Sequence, residues 1–352
     1  MKRKVDPDGI HKKQKNATMT RALQQIVPGF SLAIAISLAA FALAKGEAAL
    51  FGRDWLEAIV LAILIGTMVR SLWTPPTSFQ SGIRFAAQYP LEIAILLLGA
   101  TLDTKVVLAA GLPLVAGIAI VVLLAIGASY GFGRLVGLSH RMALLVAAGN
   151  SICGNSAIAA VAPVIGASSD DVAASIAFTA VLGVATVLAL PLLAVLLGLS
   201  ALQFGVVAGL TVYAVPQVIA ATAPVAFASV QMGTLVKLLR VLMLGPVMAG
   251  MALIGNGRAD GKMRLTRFVP WFLIGFVFAA AARTVGLVPE AAMTPIHVAT
   301  TLLTVVSMAA LGLGVDLRML RRAGGRVALA AMLSLLALGL MSLGLVHLLA
   351  IA

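Results

Sequence analysis

Charged residues are scarce in this sequence. Asp, Glu, Lys and Arg make up 11% of the 352 residues, whereas soluble domains carry about 25%. Residues 172–236 contain none of the four. A stretch of that length accommodates about three membrane passes at roughly 20 residues each. With a hydrophobic share of 61%, the composition excludes an ordinary soluble domain and predicts a polytopic protein with the lipid bilayer as its solvent.

Short segments of strictly alternating polarity are also missing. The strands of a membrane β-barrel alternate over about 10 residues, but the apolar runs here are longer and unbroken. Backbone groups in hydrocarbon must bond one another, so helices are the remaining solution. We predict an all-α membrane protein. Its eleven expected transmembrane helices cover about residues 27–45, 55–73, 83–102, 106–131, 141–166, 171–198, 202–223, 228–254, 267–286, 294–314 and 326–351.

Cysteine occurs once, at Cys153, which excludes an internal disulfide and predicts a small buried residue. The sequence has no Walker loop, no HExxH motif and no Cys/His cluster, so we expect no cofactor, no metal site and no enzyme activity. An intramembrane enzyme with Ser151 or Cys153 as nucleophile is a minor alternative. It lacks a base, because no His lies deep in any predicted span.

Acidic residues number 12 against 25 basic ones, which gives a net charge of +13. In a membrane protein this excess indicates the positive-inside bias and not nucleic-acid binding. Residues 1–26 hold seven Lys or Arg and predict a basic cytoplasmic tail. With the N-terminus inside, 19 of the 25 basic residues fall on the inner side and 4 on the outer side. The split predicts a cytoplasmic N-terminus and an outside C-terminus.

Small polar residues concentrate in one predicted span, in the stretch GNSICGNS at 149–156. Its glycines weaken a helix, and Pro163 removes a backbone donor further on. A helix broken at the membrane midplane exposes backbone groups that attract ions and polar substrates. Close helix packing accounts for small residues, but two Asn exceed what packing needs. The predicted side-chain ligands are Asn150, Ser151, Asn155 and Ser156.

Two basic residues, Lys237 and Arg240, lie three apart in an otherwise apolar span and share a helix face. A Lys or Arg at a helix centre costs about 2.5–3.5 kcal/mol on insertion scales, so such residues face a cavity or a partner. Lys237 lies about nine residues into its span, roughly 13 Å at 1.5 Å per residue, which is too deep for easy escape to the interface. Glu92 is the candidate counter-ion.

A proline interrupts the seventh predicted span. Pro216 is expected to kink it and to free a carbonyl one turn earlier. Tyr213 and Gln217 would lie near that gap.

The stretches GNSICGNSAIAAVAPVI, VKLLRVLMLGPV, LLLGATL and MAALGLG resemble the YeiH family of bacterial inner-membrane proteins, also called the sulfate exporter family. The resemblance covers nearly the whole chain after the tail. It implies a relation to the sodium/proton antiporter and bile-acid symporter folds, with inverted five-helix repeats and two broken crossing helices. By this resemblance the broken helices are span five, around Ser151–Ser156, and span ten, around Thr301–Met308. The transporter domain, 27–352, would contain an extra first helix at 27–45, repeat one at about 55–198 and repeat two at about 202–351.

The chain departs from the family pattern in span seven. Where many relatives resemble H-D-V-A-Q, this sequence has Tyr213, Ala214, Val215, Pro216 and Gln217. The titratable pair is missing while the glutamine remains. If that pair moves protons in relatives, this protein must couple transport differently or not at all.

These observations predict a secondary active transporter that exports a small anion, such as sulfate or a sulfonate, by alternating access. Proton coupling, sodium coupling and a homodimer stay open. The alternative is a sodium/proton antiporter or a sodium-coupled organic-anion symporter, with Asn150 and Asn155 as cation ligands. The predicted substrate ligands are Ser151, Asn155, Ser156, Gln217, Lys237, Arg240, Thr301 and Ser307, and the predicted coupling or ion-binding residues are Asn150, Glu92 and Tyr213.

Overall fold

The computed structural model describes residues 7–51, 58–101, 104–254, 271–315 and 324–351. Within these ranges the chain is helical and has no strand. The helices are α1 Pro7–Phe51, α2 Ala58–Leu72, α3 Thr77–Gly99, α4 Thr104–Leu135, α5 His140–Ala148, α6 Asn155–Ile165, α7 Ser169–Leu196, α8 Ala201–Thr211, α9 Val215–Thr222, α10 Phe227–Leu242, α11 Leu244–Ile254, α12 Trp271–Thr284, α13 Met293–Leu313 and α14 Gly325–Leu348. A π-helical turn, Gly149–Cys153, joins α5 to α6, and a 3₁₀ turn, Glu290–Ala292, precedes α13.

Seven segments of the described chain are long and apolar enough to cross a membrane. They are Gln25–Glu47, Thr77–Gly99, Gly111–Leu135, Ser169–Leu196, Phe227–Met248, Glu290–Leu313 and Gly325–Leu348. Four further apolar helices are shorter: α2, α6, α8 and α12. The prediction of an all-helical polytopic membrane protein is therefore confirmed. α1 begins at Pro7, so helix extends into the predicted tail.

The two ends of the bundle are distinguished by charge. α4 and α14 run antiparallel. Gly117 of α4 lies beside Leu345 of α14, and towards the other end Ser129 Oγ donates to Ser334 Oγ at 2.8 Å. We call the end where α4 finishes and α14 starts the basic end, because Arg134, Arg141 and Arg326 lie there. The C-terminal residues of α14 mark the opposite end. The predicted inner loops 255–270 and 316–323 lie outside the described residues.

α5 and α6 form a helical hairpin that opens at the basic end. Ser175 Oγ donates to Met142 Sδ at 3.2 Å, and one turn later Thr179 Oγ1 donates to Asn155 Oδ1 at 2.5 Å. α5 therefore rises beside α7 in the same direction, and the start of α6 lies level with Thr179. α6 then descends to meet the start of α7, through Gly166 at φ 62°. The chain thus enters and leaves this first hairpin at one end of the bundle.

α8 and α9 form a second hairpin, which opens at the opposite end. At the entry to α8, Ser229 Oγ of α10 donates to the carbonyl of Ala201 at 2.7 Å. Further along, a Cβ on Gly209 would fall 2.6 Å from the carbonyl oxygen of Gly233. α8 and α10 therefore run parallel, so α9 between them must run back. Gln203 Nε2 donates to Ile351 O at 2.7 Å, which places the start of α8 beside the C-terminus.

These hairpins correct the predicted topology. Spans five and seven were expected to cross the bundle, and each instead returns to the end at which it entered. Asp170 and Asp171 begin α7 at the basic end, whereas a crossing span five would have put them at the opposite end. Because the two hairpins open at opposite ends, every helix after α9 keeps its predicted direction.

The second broken helix was predicted in the wrong place. α13 is continuous from Met293 to Leu313, whereas the second break lies at residues 212–214, between α8 and α9. α13 holds together because residues 296–311 contain neither Gly nor Pro. Its Thr304 hydroxyl donates to the carbonyl of Thr300 at 2.7 Å, within the same helix. The predicted break in span ten is therefore absent, and the repeat boundaries stay a prediction.

Candidate functional site

The first hairpin turns in the GNSIC segment singled out by composition. Residues Gly149–Cys153 form a π-helical turn in which every residue is buried. Gly154 follows with φ 63°, a conformation that favours glycine. A Cβ there would also meet Tyr213 of the second hairpin at 3.1 Å. Gly154 thus lets the chain reverse and lets the two hairpin tips touch.

The second hairpin turns at residues 212–214, which are extended and not helical. Val212 has ψ 147° and Ala214 has ψ 149°. Pro216 was predicted to kink a continuous helix, but it lies in the first turn of α9, where a missing N–H costs nothing. Gln217 Oε1 accepts from the backbone N–H of Ala214 at 3.3 Å and so caps this helix.

Lys237 of α10 joins the two tips. Its Nζ donates to Ile152 O of the first hairpin at 2.9 Å and to Val212 O of the second at 2.6 Å. The side chain has 0% exposure. Carbonyls at a broken helix end carry the negative part of the helix dipole, so N–H donors there are favourable.

Arg240, one turn further along α10, makes the same connection with more bonds. Its Nε donates to Ser151 O at 2.7 Å, and Nη2 donates to Asn150 O. Its Nη1 donates to Leu210 O and, at 3.2 Å, to Val212 O. The guanidinium also has 0% exposure. Its planar fork therefore satisfies the carbonyl ends of α5 and α8 together.

A third connection uses side chains only. Tyr213 donates from its hydroxyl to Asn150 Oδ1 at 2.6 Å, and Asn150 Nδ2 donates to Ala331 O of α14 at 3.0 Å. Both Asn150 and Tyr213 are buried. The tips are thus fixed to one another and to the surrounding bundle.

The open part of the site is the start of α6. Asn155 and Ser156 are exposed although they lie beside the hairpin tip, far from either end of the bundle. Ser151 Oγ is buried and has no hydrogen-bond partner among the described residues. The carbonyl ends at the tips are occupied by Lys237 and Arg240. The backbone groups still available are therefore N–H donors at a helix start, where anions bind.

Three predicted site residues do not contact Lys237, Arg240 or the hairpin tips in the hydrogen bonds of the described chain. Glu92 accepts from Gln88 Nε2 at 2.9 Å and from Trp271 Nε1 at 2.7 Å, so it is not the counter-ion of Lys237. Ser307 Oγ donates to the carbonyl of Ala87 at 2.9 Å and joins α13 to α3. Thr301 is exposed on α13. Thr301 and Ser307 were selected for a break that α13 does not contain.

Sequence reasoning missed the most important acceptors. The partners of Lys237 and Arg240 are backbone carbonyls, which any residue supplies, so no side-chain pattern reveals them. Thr179, which holds Asn155, was also missed, because a lone Thr in an apolar span carries no distinguishing signal.

The fold and this site define a polytopic α-helical membrane protein whose centre is formed by two opposed hairpins held by buried cations. Residues 28–331 match the family described as Conserved hypothetical protein 698. A UPF0324 membrane protein of Brucella melitensis is 61% identical over 331 residues, covering 94% of this chain and 93% of the relative. A UPF0324 membrane protein of Agrobacterium fabrum is 53% identical over 326 residues, covering 93% of this chain and 94% of the relative. One of Bacillus cereus is 33% identical over 322 residues, covering 91% of this chain and 92% of the relative.

No solved structure matches this chain. The extent of the family match and the identity to these relatives show that the chain belongs to this family of membrane proteins.

Proposed function

We propose that this protein is a secondary active transporter of the bacterial inner membrane that exports a small anion such as sulfate or a sulfonate. The basic end lies in the cytoplasm, so the N-terminus is inside and the C-terminus outside. In this arrangement the two hairpins are re-entrant, one from each side. The eleven spans expected from composition become nine crossings and two hairpins over the described chain.

One observation carries the anion assignment. Lys237 and Arg240 are completely buried, and their partners in the described chain are carbonyl oxygens. Ionised groups inside a membrane ordinarily pair with an opposite charge. Among the described acids, Glu92 bonds to Gln88 and Trp271, and Glu290 pairs with Arg283. The others lie at helix ends: Asp170 and Asp171 begin α7, and Asp8 and Glu47 lie near the two ends of α1. A permanent guanidinium charge beside a lysine, at the centre and without a carboxylate, favours binding of an anion from outside the protein.

The same contacts count against the cation alternative. Carbonyls and Asn oxygens are what a sodium ion would use, and here both kinds are occupied. Lys237 and Arg240 hold the carbonyls, Tyr213 donates to Asn150 Oδ1, and Thr179 donates to Asn155 Oδ1. The groups left for a ligand are the exposed Asn155 and Ser156, the unpartnered Ser151 hydroxyl and the N–H groups at the start of α6.

The opposed hairpins provide a route for alternating access. Each hairpin lies between the central cations and one side of the membrane. Movement of the first would open the site to the cytoplasm, and movement of the second would open it to the outside. Transporters with broken helices at the midplane expose a fixed site to each side in turn by such movements.

The test is counterflow in proteoliposomes. Vesicles loaded with unlabelled sulfate are diluted into radiolabelled sulfate, and uptake is followed at several concentrations. We expect saturable uptake, with the half-saturation concentration raised several-fold in Asn155→Ala and in Ser156→Ala.

Ser31→Ala is the control for these variants, because Ser31 is exposed on α1 and bonds only to the carbonyl of Pro28. It should leave the half-saturation concentration unchanged. Absence of counterflow with sulfate and with methanesulfonate, in protein that melts cooperatively, would contradict the proposed function.

A further inference from the structure

We propose that Lys237 carries the coupling proton of the transport cycle, so that one proton moves with each anion. This inference rests on the proposed function and adds the coupled ion and the atom that holds it.

The hydrogen bonds of Lys237 are compatible with both protonation states. An ammonium has three N–H donors and a neutral amine has two. Nζ donates two bonds to protein, to Ile152 O and Val212 O. Lys237 can therefore lose one proton and keep both bonds, so the hairpin tips stay joined in either state.

Arg240 has no such freedom. It donates from all three nitrogens to carbonyls of both tips. A guanidinium also stays protonated in proteins. Arg240 is therefore the permanent positive charge that positions the tips, and Lys237 is the group able to change its charge.

The surroundings of Lys237 favour release of that proton when the site is empty. The titratable or charged neighbours from the described elements are Arg240 on α10, Cys153 of the π-helical turn and Tyr213 of the second tip. α8, α9 and α11, which pack against α10, contribute no acidic or basic residue. α4 also packs against α10, and its titratable residues lie near its two ends: Lys105 in its first turn, and Tyr130 and Arg134 in its last two turns. Two adjacent cations in a desolvated site repel each other, so removal of one charge lowers the energy.

An anion reverses this preference. The third N–H of the ammonium has no protein partner in the described chain, and it can donate to an anion oxygen. A bound anion also neutralises the repulsion between Lys237 and Arg240. Anion binding and proton binding at Nζ therefore favour each other by equal amounts.

The proton balance follows directly. As the anion binds, a hydronium ion in the water that enters the opened site gives its proton to the Nζ amine and remains as water. After the hairpin on the other side opens, the anion leaves and the N–H bond breaks, so that Nζ keeps the electron pair and the proton passes to water. Anion and proton thus cross in the same direction, and export of an anion acidifies the outside.

The test measures a ratio and not a rate. Proteoliposomes containing a pH-sensitive dye take up radiolabelled sulfate. The dye reports the protons that enter, the radioactivity reports the sulfate that enters, and their ratio is calculated. We expect about one proton per sulfate in the wild type and close to zero in Lys237→Arg, which keeps the charge but holds its proton. Lys45→Arg, at an exposed lysine, should keep the wild-type ratio.

A second measurement uses only the wild type, because Lys237→Arg can fail to fold. Sulfate binding is measured by calorimetry in two buffers with different ionisation enthalpies, and proton uptake of about one per sulfate is expected. In the pH range where Lys237 of the empty protein is deprotonated, the affinity for sulfate should fall about tenfold for each unit by which the pH rises. Sulfate movement or binding without protons overturns the proton assignment and leaves the transporter standing. Absence of sulfate counterflow overturns the proposed function and this inference with it.

Discussion

Tyr213 donates its hydroxyl hydrogen to Asn150 Oδ1 at 2.6 Å, across the contact between two hairpins that open at opposite ends of the protein. The two residues are 63 positions apart in the sequence. Their bond joins the tips that Lys237 and Arg240 also join through backbone carbonyls. The centre of the molecule is therefore one hydrogen-bonded unit, and its parts can be tested separately.

Tyr213→Phe removes one side of this bond and leaves a buried Asn150 oxygen without a donor. An unsatisfied buried acceptor costs about 1–3 kcal/mol. We expect a lower melting temperature in detergent and slower sulfate counterflow. Tyr130→Phe is the matched control, since Tyr130 bonds to His140 at an exposed position. An unchanged melting temperature in Tyr213→Phe would show that the tip contact adds no stability.

Arg240→Lys keeps a positive charge but loses the fork that reaches both tips. A single ammonium cannot reach Ser151 O, Asn150 O and Leu210 O together. Each buried carbonyl left without a donor in this way costs about 1–3 kcal/mol. We expect little cooperatively folded protein by size-exclusion chromatography and thermal melting.

Arg283→Lys, in the exposed pair with Glu290, is the control for Arg240→Lys and should change stability by about 0–1 kcal/mol. Equal melting temperatures for the two variants would contradict the role assigned to Arg240.

The hairpins predict which turns share a side of the membrane. In a Cys153→Ala background, single cysteines at Ala167 and Arg141 should react with an impermeant maleimide from the same side. Cysteines at Val225 and Ile351 should react from the other side. Residue 167 follows the first hairpin, and residue 225 follows the second.

Crossing helices would give a different labelling pattern for one of these turns. If span five crossed, the maleimide would label Ala167→Cys from the same side as Val225→Cys, and from the side opposite to Arg141→Cys. That result would exclude the first hairpin.

Gly209 makes a close contact that a larger residue cannot keep. A Cβ there would fall 2.6 Å from Gly233 O and 2.8 Å from Val236 Cβ. Gly209→Ala should therefore push α8 away from α10 and lower the free energy of unfolding by about 1–3 kcal/mol. Gly339→Ala is the control, because nothing lies within 4 Å of a Cβ at that position of α14.

The control Gly339→Ala is expected to raise stability slightly, by about 0.4–1 kcal/mol. Chemical denaturation in mild detergent measures both glycine variants. A neutral Gly209→Ala would mean that α8 and α10 can separate freely.

Much of the architecture follows from local features of the chain. The apolar runs predict helices in a membrane, and the GNSICGNS stretch predicts a broken helix, which the π-helical turn at Gly149–Cys153 confirms. The depth of Lys237 in an apolar span predicted that it would face a cavity or a partner, and both Lys237 and Arg240 are buried. These features are local because each depends on solvation or on backbone propensity within about one helix.

The hairpins could not be predicted, because the sequence contains no signal that distinguishes them from crossing helices. The turns at residues 166–168, 197–200 and 223–226 carry no Lys or Arg, so the positive-inside rule has nothing to count there. The break in span seven was read as a proline kink, yet Pro216 starts a helix as readily as it bends one. The family resemblance placed the second break in α13, but that helix is continuous and Thr304 bonds within it.

The sequence by itself determined that this protein is a helical membrane protein, where the first of its broken helices lies, and that Lys237 is too deep to reach the interface. Only the tertiary structure decided that the chain turns back twice and that both cations hold the tips of opposed hairpins. The physical reason is the nature of the acceptors. Lys237 and Arg240 bond to backbone carbonyls, which are the same at every residue, so their positions exist only once the chain has folded around them.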